Sequence, residues 1–457
     1  MSALNNGALN SSATSCTQST DAVRVHLLTM GCAKNEVDSA DMSERLSQAG
    51  YVITDDPSTA DAIIVNTCSF IQAATEESID AIFQMAGLEN VEAGSTELIV
   101  AGCMPARYGD DLSQSLEEVK CFVPCSKEQD IVDVMDGLFP ERAHESDSAR
   151  AASAASAEAF GAQCVQPSVY VKISDGCDRF CSYCTIPFIR GRYHSFPEAD
   201  IARDVDKAIA SGAGEIVFIA QDTGRWGSDF HEPSCLADLM AHQAIAHPDT
   251  WFRVMYLQPE GISDALLRTM AAYPNICSYL DIPLQHASEH IIADMNRKGS
   301  GKEYVELLDH IRQMVPDITL RTTLITGFPG ETEKDFEELC DFLNVAEFDY
   351  VGVFPYSCED GTRAANLPDQ VDDEVKLERA QAVRDIGDAI STARIAQRVG
   401  TSLDVLVIGT EEDGQLFGRA QCQAPDVDGV TYIPSGTIGK KTHVRIIDSL
   451  LYEMEGE

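Results

Sequence analysis

Basic residues are scarce in this sequence. Lys and Arg together number 33 among 457 residues, against 74 Asp and Glu, so the formal net charge is −41. Such a charge opposes tight, nonspecific binding to nucleic acid, whose phosphates are bound through cations. It favours a basic protein partner, although an adaptation to solubility or to a salty cytoplasm would produce the same acidity.

Long apolar runs are also absent. None approaches the roughly 20 residues that a helix needs to cross a bilayer. The sequence therefore predicts no transmembrane helix and no membrane partner. Residues 1–22 have neither the basic start nor the apolar centre of a signal peptide, and we expect a disordered leader there. Without an export signal, the fifteen cysteines are expected to stay reduced in the cytoplasm, where clustered thiols bind metals or do chemistry.

Composition divides the rest of this α/β sequence into four blocks. Residues 23–142 alternate short apolar runs with helix-like stretches, which predicts an open parallel α/β domain. Residues 143–166 are rich in Ala and Ser and indicate a linker. Residues 167–400 contain six strand–helix units, which predict a partial parallel (βα)6 barrel. Its strands are expected near 168–174, 215–220, 252–257, 277–282, 319–326 and 349–355. Residues 401–457 show short β runs between Gly and Pro turns and predict a small antiparallel β-barrel.

Three cysteines of the first block follow predicted strands at equivalent places. Cys32 ends VHLLTMGC, Cys68 ends AIIVNTC and Cys103 ends ELIVAGC. Because the carboxyl ends of parallel strands share one edge of a sheet, we expect the three thiols to converge there. Three buried structural cysteines are the alternative, since free Cys is among the most buried residue types. Cys121 and Cys125, in CFVPC, also have a ligand-like spacing, but they lie in an apolar run and are interpreted as core residues.

A second set of cysteines lies in DGCDRFCSYC, which places Cys177, Cys181 and Cys184 after the predicted strand SVYVKIS. The irons of a 4Fe–4S cluster take one thiolate each, so three cysteines leave one iron open to a substrate. A zinc ion with three protein ligands is the alternative. The end of a barrel strand is also where active sites of parallel barrels lie. Tyr183 offers an aromatic face on which a purine could lie.

The segment CDRFCSYC resembles the C-x3-C-x-aromatic-C signature of radical S-adenosylmethionine enzymes. The resemblance implies that the amino and carboxylate groups of S-adenosylmethionine chelate the open iron. Gln221 and Asp222, in IAQDTG, resemble the segment that contacts the methionine amino group; the usual Gly-Gly-Glu is absent, a departure typical of the methylthiotransferase branch. Gln285 in IPLQHAS, and Arg321 and Gly327 in RTTLITGFPGET, resemble later cofactor-binding motifs of that branch.

The methylthiotransferase resemblance extends over the other blocks. The first block is similar to a domain in which three cysteines hold a second 4Fe–4S cluster, and Cys32, Cys68 and Cys103 fit those places. The tail resembles the substrate-binding TRAM barrel of the same family. The resemblance implies two 4Fe–4S clusters and S-adenosylmethionine as cofactors, with an electron donor and a sulfur source as partners. In this family the reaction can take place at the β-carbon of a substrate aspartate. No side-chain acid or base is expected to be catalytic there, because the C–H bond of that carbon is too weakly acidic for such chemistry.

Polar residues near the first three cysteines are open to two interpretations. Helix capping is the commoner role for such residues after a strand. Tuning of a cluster by neighbouring polar groups is the alternative. The residues concerned are Asn35, Asp38, Asn66 and Ser69.

The segments MGCAKNEVDS and AQCQAPDVDGVTYI are more similar to methylthiotransferases that modify an aspartate of ribosomal protein S-twelve than to those that modify a tRNA adenosine. Residues 401–457 contain four Lys or Arg against ten Asp or Glu, a net charge of −6, and three aromatic residues. Oligonucleotide-binding barrels instead combine a positive groove with stacking aromatics. We therefore predict that Asp426 and Asp428 bind a basic substrate, the small-subunit ribosomal protein or the ribosome.

Two other functions stay in competition at this point. Methylthiolation of a tRNA adenosine is the first alternative. A nonenzymatic electron carrier with two clusters is the second, although small carriers normally complete each cluster with four thiolates.

Overall fold

The chain forms three successive units in the computed structural model, which describes residues 22–140 and 166–457. The predicted leader, 1–22, and linker, 143–166, lie outside the described residues except for the last residue of each. None of the helices in the two described ranges is long and apolar enough to cross a membrane.

The first unit is a five-stranded parallel sheet with helices on both faces. The strand order is β2-β1-β3-β4-β5. Its central strand, AIIVNT, is buried along its whole length, as expected for a parallel strand covered on both faces. The elements are β1 (Arg24–Thr29), α1 (Ala33–Gln48), β2 (Val52–Ile53), β3 (Ala62–Thr67), α2 (Gln72–Ala86), α3 (Glu89–Glu92), β4 (Glu97–Gly102), α4 (Cys103–Tyr108), α5 (Asp110–Ser115), β5 (Cys121–Pro124) and α6 (Ile131–Leu138).

The second unit has six parallel strands, close to the six predicted positions. They form two three-stranded sheets, which a single bridge between Phe252 and Ile276 connects. A short antiparallel pair, β7–β8, was not predicted. The elements are β6 (Ser168–Lys172), β7 (Ser174–Asp175), α7 (Ile186–Ile189), β8 (His194–Ser195), α8 (Glu198–Ala210), β9 (Glu215–Ile219), α9 (Leu236–Ala246), β10 (Trp251–Val254), α10 (Asp264–Ala272), β11 (Tyr279–Asp281), α11 (Glu289–Asp294), α12 (Gly301–Met314), β12 (Thr319–Thr326), α13 (Glu333–Ala346), β13 (Tyr350–Pro355) and α14 (Asp373–Ala396).

The third unit is a closed five-stranded barrel with the order β14-β15-β16-β18-β17. The prediction of an antiparallel barrel is wrong for one pair, because β16 and β18 run parallel. Five strands that alternate in direction cannot close into a ring without one parallel pair. The elements are β14 (Ser402–Thr410), β15 (Leu416–Ala420), β16 (Thr431–Ile433), β17 (Lys441–Leu450) and β18 (Glu453–Gly456).

The third unit packs against the inner face of the second. Trp251 and Tyr279 of the central strands share an apolar core with Val405 of the barrel. At this contact the buried carboxylate of Glu215 pairs with two arginines. Its oxygens lie 2.8 Å from Arg253 Nη2 and 2.9 Å from Nη2 of Arg419, which belongs to the third unit. Burial alone would raise the pKa of Glu215, but the two guanidinium groups outweigh it and lower that pKa to about 2. The barrel is therefore held by charge as well as by apolar contact.

Candidate active site between two sets of cysteines

The three cysteines of the first unit lie at one edge of its sheet, as the sequence predicted. Strands β1, β3 and β4 are neighbours, and Thr67 at the end of β3 pairs with Gly102 at the end of β4. Cys68 and Cys103 directly follow these two strands, and Cys32 follows β1 by three residues. Burial raises the pKa of Cys68 to about 11, and the charges of the other two thiolates act in the same direction. The three thiols therefore lie close enough to affect one another.

A glycine lets two of the three loops approach. Gly31 has φ +94°, and a Cβ placed on it would lie 2.3 Å from Cys68 Cβ and 2.8 Å from Cys68 Sγ. No side chain larger than hydrogen fits between the loops that carry Cys32 and Cys68.

Cys125 is a fourth thiol at this edge. It directly follows β5, the strand beside β4, and its Sγ donates a hydrogen bond to Ile189 O at 3.3 Å. Its hydrogen bond to Cys103 lowers the pKa of Cys103. The interpretation of Cys125 as a core residue is therefore wrong, whereas Cys121 does pack against the apolar core. The signal was present in the sequence, because Cys125 repeats the pattern of a cysteine directly after a strand.

The polar residues beside the first set join its loops together. Asn35 Nδ2 donates to Met30 O at 2.9 Å and to Thr67 O at 3.0 Å. Asn66 Nδ2 donates to Asn35 O at 3.1 Å and to Ser39 Oγ at 2.9 Å. The helices that begin here, α1 and α2, have no side-chain N-cap bond. The capping interpretation is therefore wrong for all four residues to which it applied: Asn35, Asp38, Asn66 and Ser69.

A buried ion network connects the first unit to the second. Arg190 Nη2 donates to Asp38 Oδ2 and to Asn35 Oδ1, both at 2.8 Å, and lies 3.8 Å from Cys103 Sγ. Lys172, at the end of β6, pairs with Asp38. The Arg190 side chain is 3% exposed. Charges buried this deeply are stable only when paired, so the network fixes the two units against each other.

The second set of cysteines lies in the loop between β7 and α7 of the second unit. Cys184 N–H donates to Cys181 O at 3.0 Å, and Cys177 N–H donates to Gly191 O at 3.2 Å. Burial and the neighbouring thiolate of Cys181 raise the pKa of Cys184. The loop is therefore compact, with its thiols close together. Binding a metal would require these thiols to lose their protons.

Neither set of cysteines is arranged in advance around a single metal ion in the described ranges. No three His, Cys, Asp or Glu side chains within the two described ranges are arranged around one ion. In a 4Fe–4S cluster each cysteine binds a different iron, so such an arrangement is not needed.

Gln221 is the cofactor candidate whose surroundings most clearly indicate a ligand. Its side-chain nitrogen and oxygen are both buried, and neither has a hydrogen-bond partner among the described residues. A buried amide without partners is costly, so a bound polar group is expected there. Asp222 is instead satisfied by Arg179 Nε at 2.6 Å, and Arg179 also donates to Glu260 at 2.8 Å.

The remaining cofactor candidates have structural partners of their own. Tyr183 packs against a small apolar core. Gln285 has φ +75°, and its backbone bonds to both Thr323 and Ile325 of β12. Gly327 N–H donates to Glu331 Oε2 at 2.7 Å. The predicted contacts of Tyr183, Gln285 and Gly327 with the cofactor stay predictions.

Asp428 is not a surface residue, and its predicted contact with the substrate is wrong. Its side chain is 0% exposed and accepts hydrogen bonds from Tyr279 Oη and Ala424 N–H, both at 2.8 Å. Arg321 Nε lies 3.6 Å from Asp428, and Arg321 Nη1 donates to Asp281 at 2.9 Å. Asp428 and Arg321 thus belong to the contact between the second and third units.

Asp426, two residues earlier, is exposed, and its carboxylate accepts a hydrogen bond from Tyr170 Oη at 2.5 Å. It is the one of the two aspartates that a partner can reach.

An open cleft of about 430 Å³ lies beside the second set of cysteines. It has four cations and one carboxylate, although the chain as a whole is strongly acidic. The sequence did not indicate it, because its residues come from four separate segments of the chain. They are Arg179, Cys181, Arg225, Glu260, Asn296, Arg297 and Lys298.

Three family models match the chain, one for each unit. They are the uncharacterized protein family UPF0004 at residues 24–124, the radical SAM superfamily at 171–343 and the TRAM domain at 399–457. Together with the two cysteine sets, these units define a radical S-adenosylmethionine enzyme.

Curated relatives identify the group within that class. A ribosomal protein uS12 methylthiotransferase RimO from Desulfosudis oleivorans is 38% identical over 95% of this chain and 100% of that protein. A protein of the same name from Pelobacter propionicus is 39% identical, over 96% of this chain and 99% of that protein. The chain belongs to the radical SAM methylthiotransferases of the RimO family, which implies a 4Fe–4S cluster and S-adenosylmethionine as cofactors.

A solved structure supports the fold independently. The cobalamin-dependent S-adenosylmethionine radical enzyme OxsB matches 80% of this chain and 56% of its own, with a TM-score of 0.51 and 11% identity.

Proposed function

We propose that this methylthiotransferase adds a methylthio group to the β-carbon of an aspartate in ribosomal protein uS12. The observation that carries the proposal is the pair of three-cysteine sets on either side of one interface, in a chain that matches nearly the full length of uS12-modifying relatives. Such an enzyme works in the cytoplasm, with the small-subunit protein or the ribosome as its partner.

Each set of cysteines is suited to hold one of two 4Fe–4S clusters. Cys177, Cys181 and Cys184 would hold the cluster that binds S-adenosylmethionine, and the unpartnered amide of Gln221 would bind the same cofactor. The edge thiols Cys32, Cys68 and Cys103 would hold the second cluster. When bound, these groups supply the one-electron cleavage, the sulfur and the methyl group, with an external electron donor and sulfur source.

The protein residues position these groups relative to each other. Asp38 and Arg190 join the two units directly beside Cys103, so the distance between the two cysteine sets is fixed by buried charges. Arg179, which pairs with Asp222, holds the loop of the second set against the barrel. A reactive radical requires such a rigid arrangement, because misplaced groups would otherwise react with it.

The acidic third unit supports a protein substrate. Its net charge of −6 suits a basic ribosomal protein better than tRNA. Asp426 is exposed and offers a carboxylate to such a partner.

The proposal is tested by mass spectrometry of ribosomal proteins and tRNA from cells that lack the chain. We expect uS12 to lose the mass of one methylthio group, and tRNA to be unchanged. The unsubstituted chain should restore the modification, whereas Cys181→Ala should not. An unmodified tRNA adenosine together with normally modified uS12 would contradict the proposal.

A further inference from the structure

Lys34 lies beside the first set of cysteines, at the contact between the first and second units. It is the second residue of α1 and stands two residues after Cys32. Its side chain crosses to the barrel, where Nζ lies 3.4 Å from the centroid of the Tyr256 ring. Tyr256 follows the carboxyl end of β10, on the side of a parallel barrel where active sites lie. The ammonium group thus faces the interface that separates the two cysteine sets.

The Lys34 ammonium forms no ion pair within the described part of the chain, although the carboxylates of Asp281 and Asp175 are close enough to act on it electrostatically. Its ammonium is joined to the Tyr256 ring alone, with no ion pair or hydrogen bond to another described residue. The neighbouring cations differ in this respect, because each is paired with at least one carboxylate: Lys172 with Asp38 and Asp175, Arg190 with the same two, and Arg321 with Asp281. Burial of this ammonium is costly, and the more distant carboxylates of Asp281 and Asp175 offset that cost only in part, because the pKa of Lys34 stays lowered. Its position is therefore suited to an anion that arrives with a ligand.

The chemistry of the proposed substrate identifies that anion. The γ-carboxylate of aspartate is bonded directly to the β-carbon, so a group that fixes the carboxylate also fixes the C–H bonds of the reacting carbon. A lysine ammonium is a compact point charge that pairs readily with such a carboxylate. The aromatic ring beneath it holds the ammonium in place by a cation–π contact. A nucleic-acid phosphate is less suitable, because a chain of net charge −41 repels the rest of the polyanion.

We propose that Lys34 binds the γ-carboxylate of the substrate aspartate and positions its β-carbon between the two cysteine sets. This inference rests on the proposed function and adds the residue that selects aspartate. Asparagine has the same shape without the charge, so Lys34 would distinguish the two.

The experiment measures binding rather than turnover. The chain is loaded anaerobically with iron, sulfide and S-adenosylmethionine, and no reductant is added. The two probes are purified uS12 and a uS12 variant in which the modified aspartate is replaced by asparagine. The chains compared are the unsubstituted protein, Lys34→Met, Lys34→Arg and a control, Lys302→Met. Lys302 is 87% exposed and lies on α12, away from the interface.

We expect Lys34→Met to weaken binding of uS12 by roughly tenfold or more, because a hydrogen bond to a charged group is lost. Binding of the asparagine variant should change by less than about twofold, because it never made that charged contact. Lys34→Arg should restore most of the affinity, and Lys302→Met should bind both probes as the unsubstituted chain does. Iron content should be the same in all four chains, so that a difference in affinity does not come from loss of a cluster.

Two results would overturn the role of Lys34 alone. One is that Lys34→Met binds uS12 as tightly as the unsubstituted chain does, while the unsubstituted chain is shown to modify uS12. The other is that Lys34→Met loses equal affinity for the aspartate and asparagine probes. If the unsubstituted chain neither binds nor modifies uS12, the proposed function fails and this inference fails with it.

Discussion

A single hydrogen atom, on Gly31, separates the loops that carry Cys32 and Cys68. A methyl group there would overlap Cys68 Cβ at 2.3 Å and would also strain a backbone at φ +94°. We expect Gly31→Ala to bind less iron and to lose sulfur insertion. It should retain reductive cleavage of S-adenosylmethionine, because the second set of cysteines is unchanged. Iron analysis and 5′-deoxyadenosine release measure the two effects.

Gly94→Ala is the matched control. Gly94 also has a positive φ, +72°, but no atom lies within 4 Å of a Cβ built on it. It carries the same kind of backbone strain without the collision. Equal iron contents in the two variants would show that contact with Cys68 is unimportant.

Residue roles were predictable where they follow from position along a strand, and not where they depend on contacts between units. The edge position of Cys32, Cys68 and Cys103 follows from local pattern alone. The burial of Asp428 does not, because it depends on Tyr279, which lies 149 residues away in the chain. An aspartate in a polar segment has the same local appearance whether it faces water or another domain.

At the scale of elements, the contact between strand β9 and the C-terminal barrel depends on Glu215. Glu215→Gln would leave Arg253 and Arg419 buried without a counter-charge, and breaking a buried ion pair in this way costs about 3–5 kcal/mol. We expect a lower unfolding temperature and faster proteolysis near residue 400, where the chain enters the barrel. Thermal scanning and limited proteolysis measure these effects.

Glu453→Gln serves for comparison, because Glu453 is exposed on β18 of the same barrel. Exposed substitutions of this kind usually change stability by less than about 0.5 kcal/mol. If both variants unfold and are cleaved like the unsubstituted chain, the barrel is held by apolar contacts alone.

The elements themselves were largely predictable from hydrophobic pattern. All six parallel strands of the second unit lie close to their predicted positions, because strand–helix alternation is encoded locally. The pairing of β16 with β18 was not predictable in the same way. It follows from closure of an odd-numbered ring, which is a property of the whole barrel rather than of either strand.

At the scale of the whole molecule, the net charge of −41 determines how partners approach. We expect affinity for uS12 to fall as salt rises, because the Debye length shrinks from about 10 Å at 0.1 M to about 3 Å at 1 M. Affinity for tRNA should be weaker than affinity for uS12 at low salt. Salt titrations of equilibrium binding measure both.

Asp426→Lys should bind uS12 more weakly than the unsubstituted chain does at the same salt concentration, because Asp426 is exposed. Asp428 is unsuitable for such a test because its side chain is buried. Tighter binding to tRNA than to uS12 at every salt concentration would contradict a protein substrate.

The Asp38–Lys172–Arg190 network also bears on how such enzymes can diverge. Asp38 belongs to the first unit and Lys172 and Arg190 to the second, and these three are buried at one contact, where Asp175 of the second unit also pairs with both cations. A gene fusion could take the first unit from one relative and the second from another. It would leave a buried charge unpaired unless the first unit carried the aspartate and the second unit carried both cations. The two cysteine-bearing units are separable in sequence, but they are expected to be exchanged between lineages only as a pair.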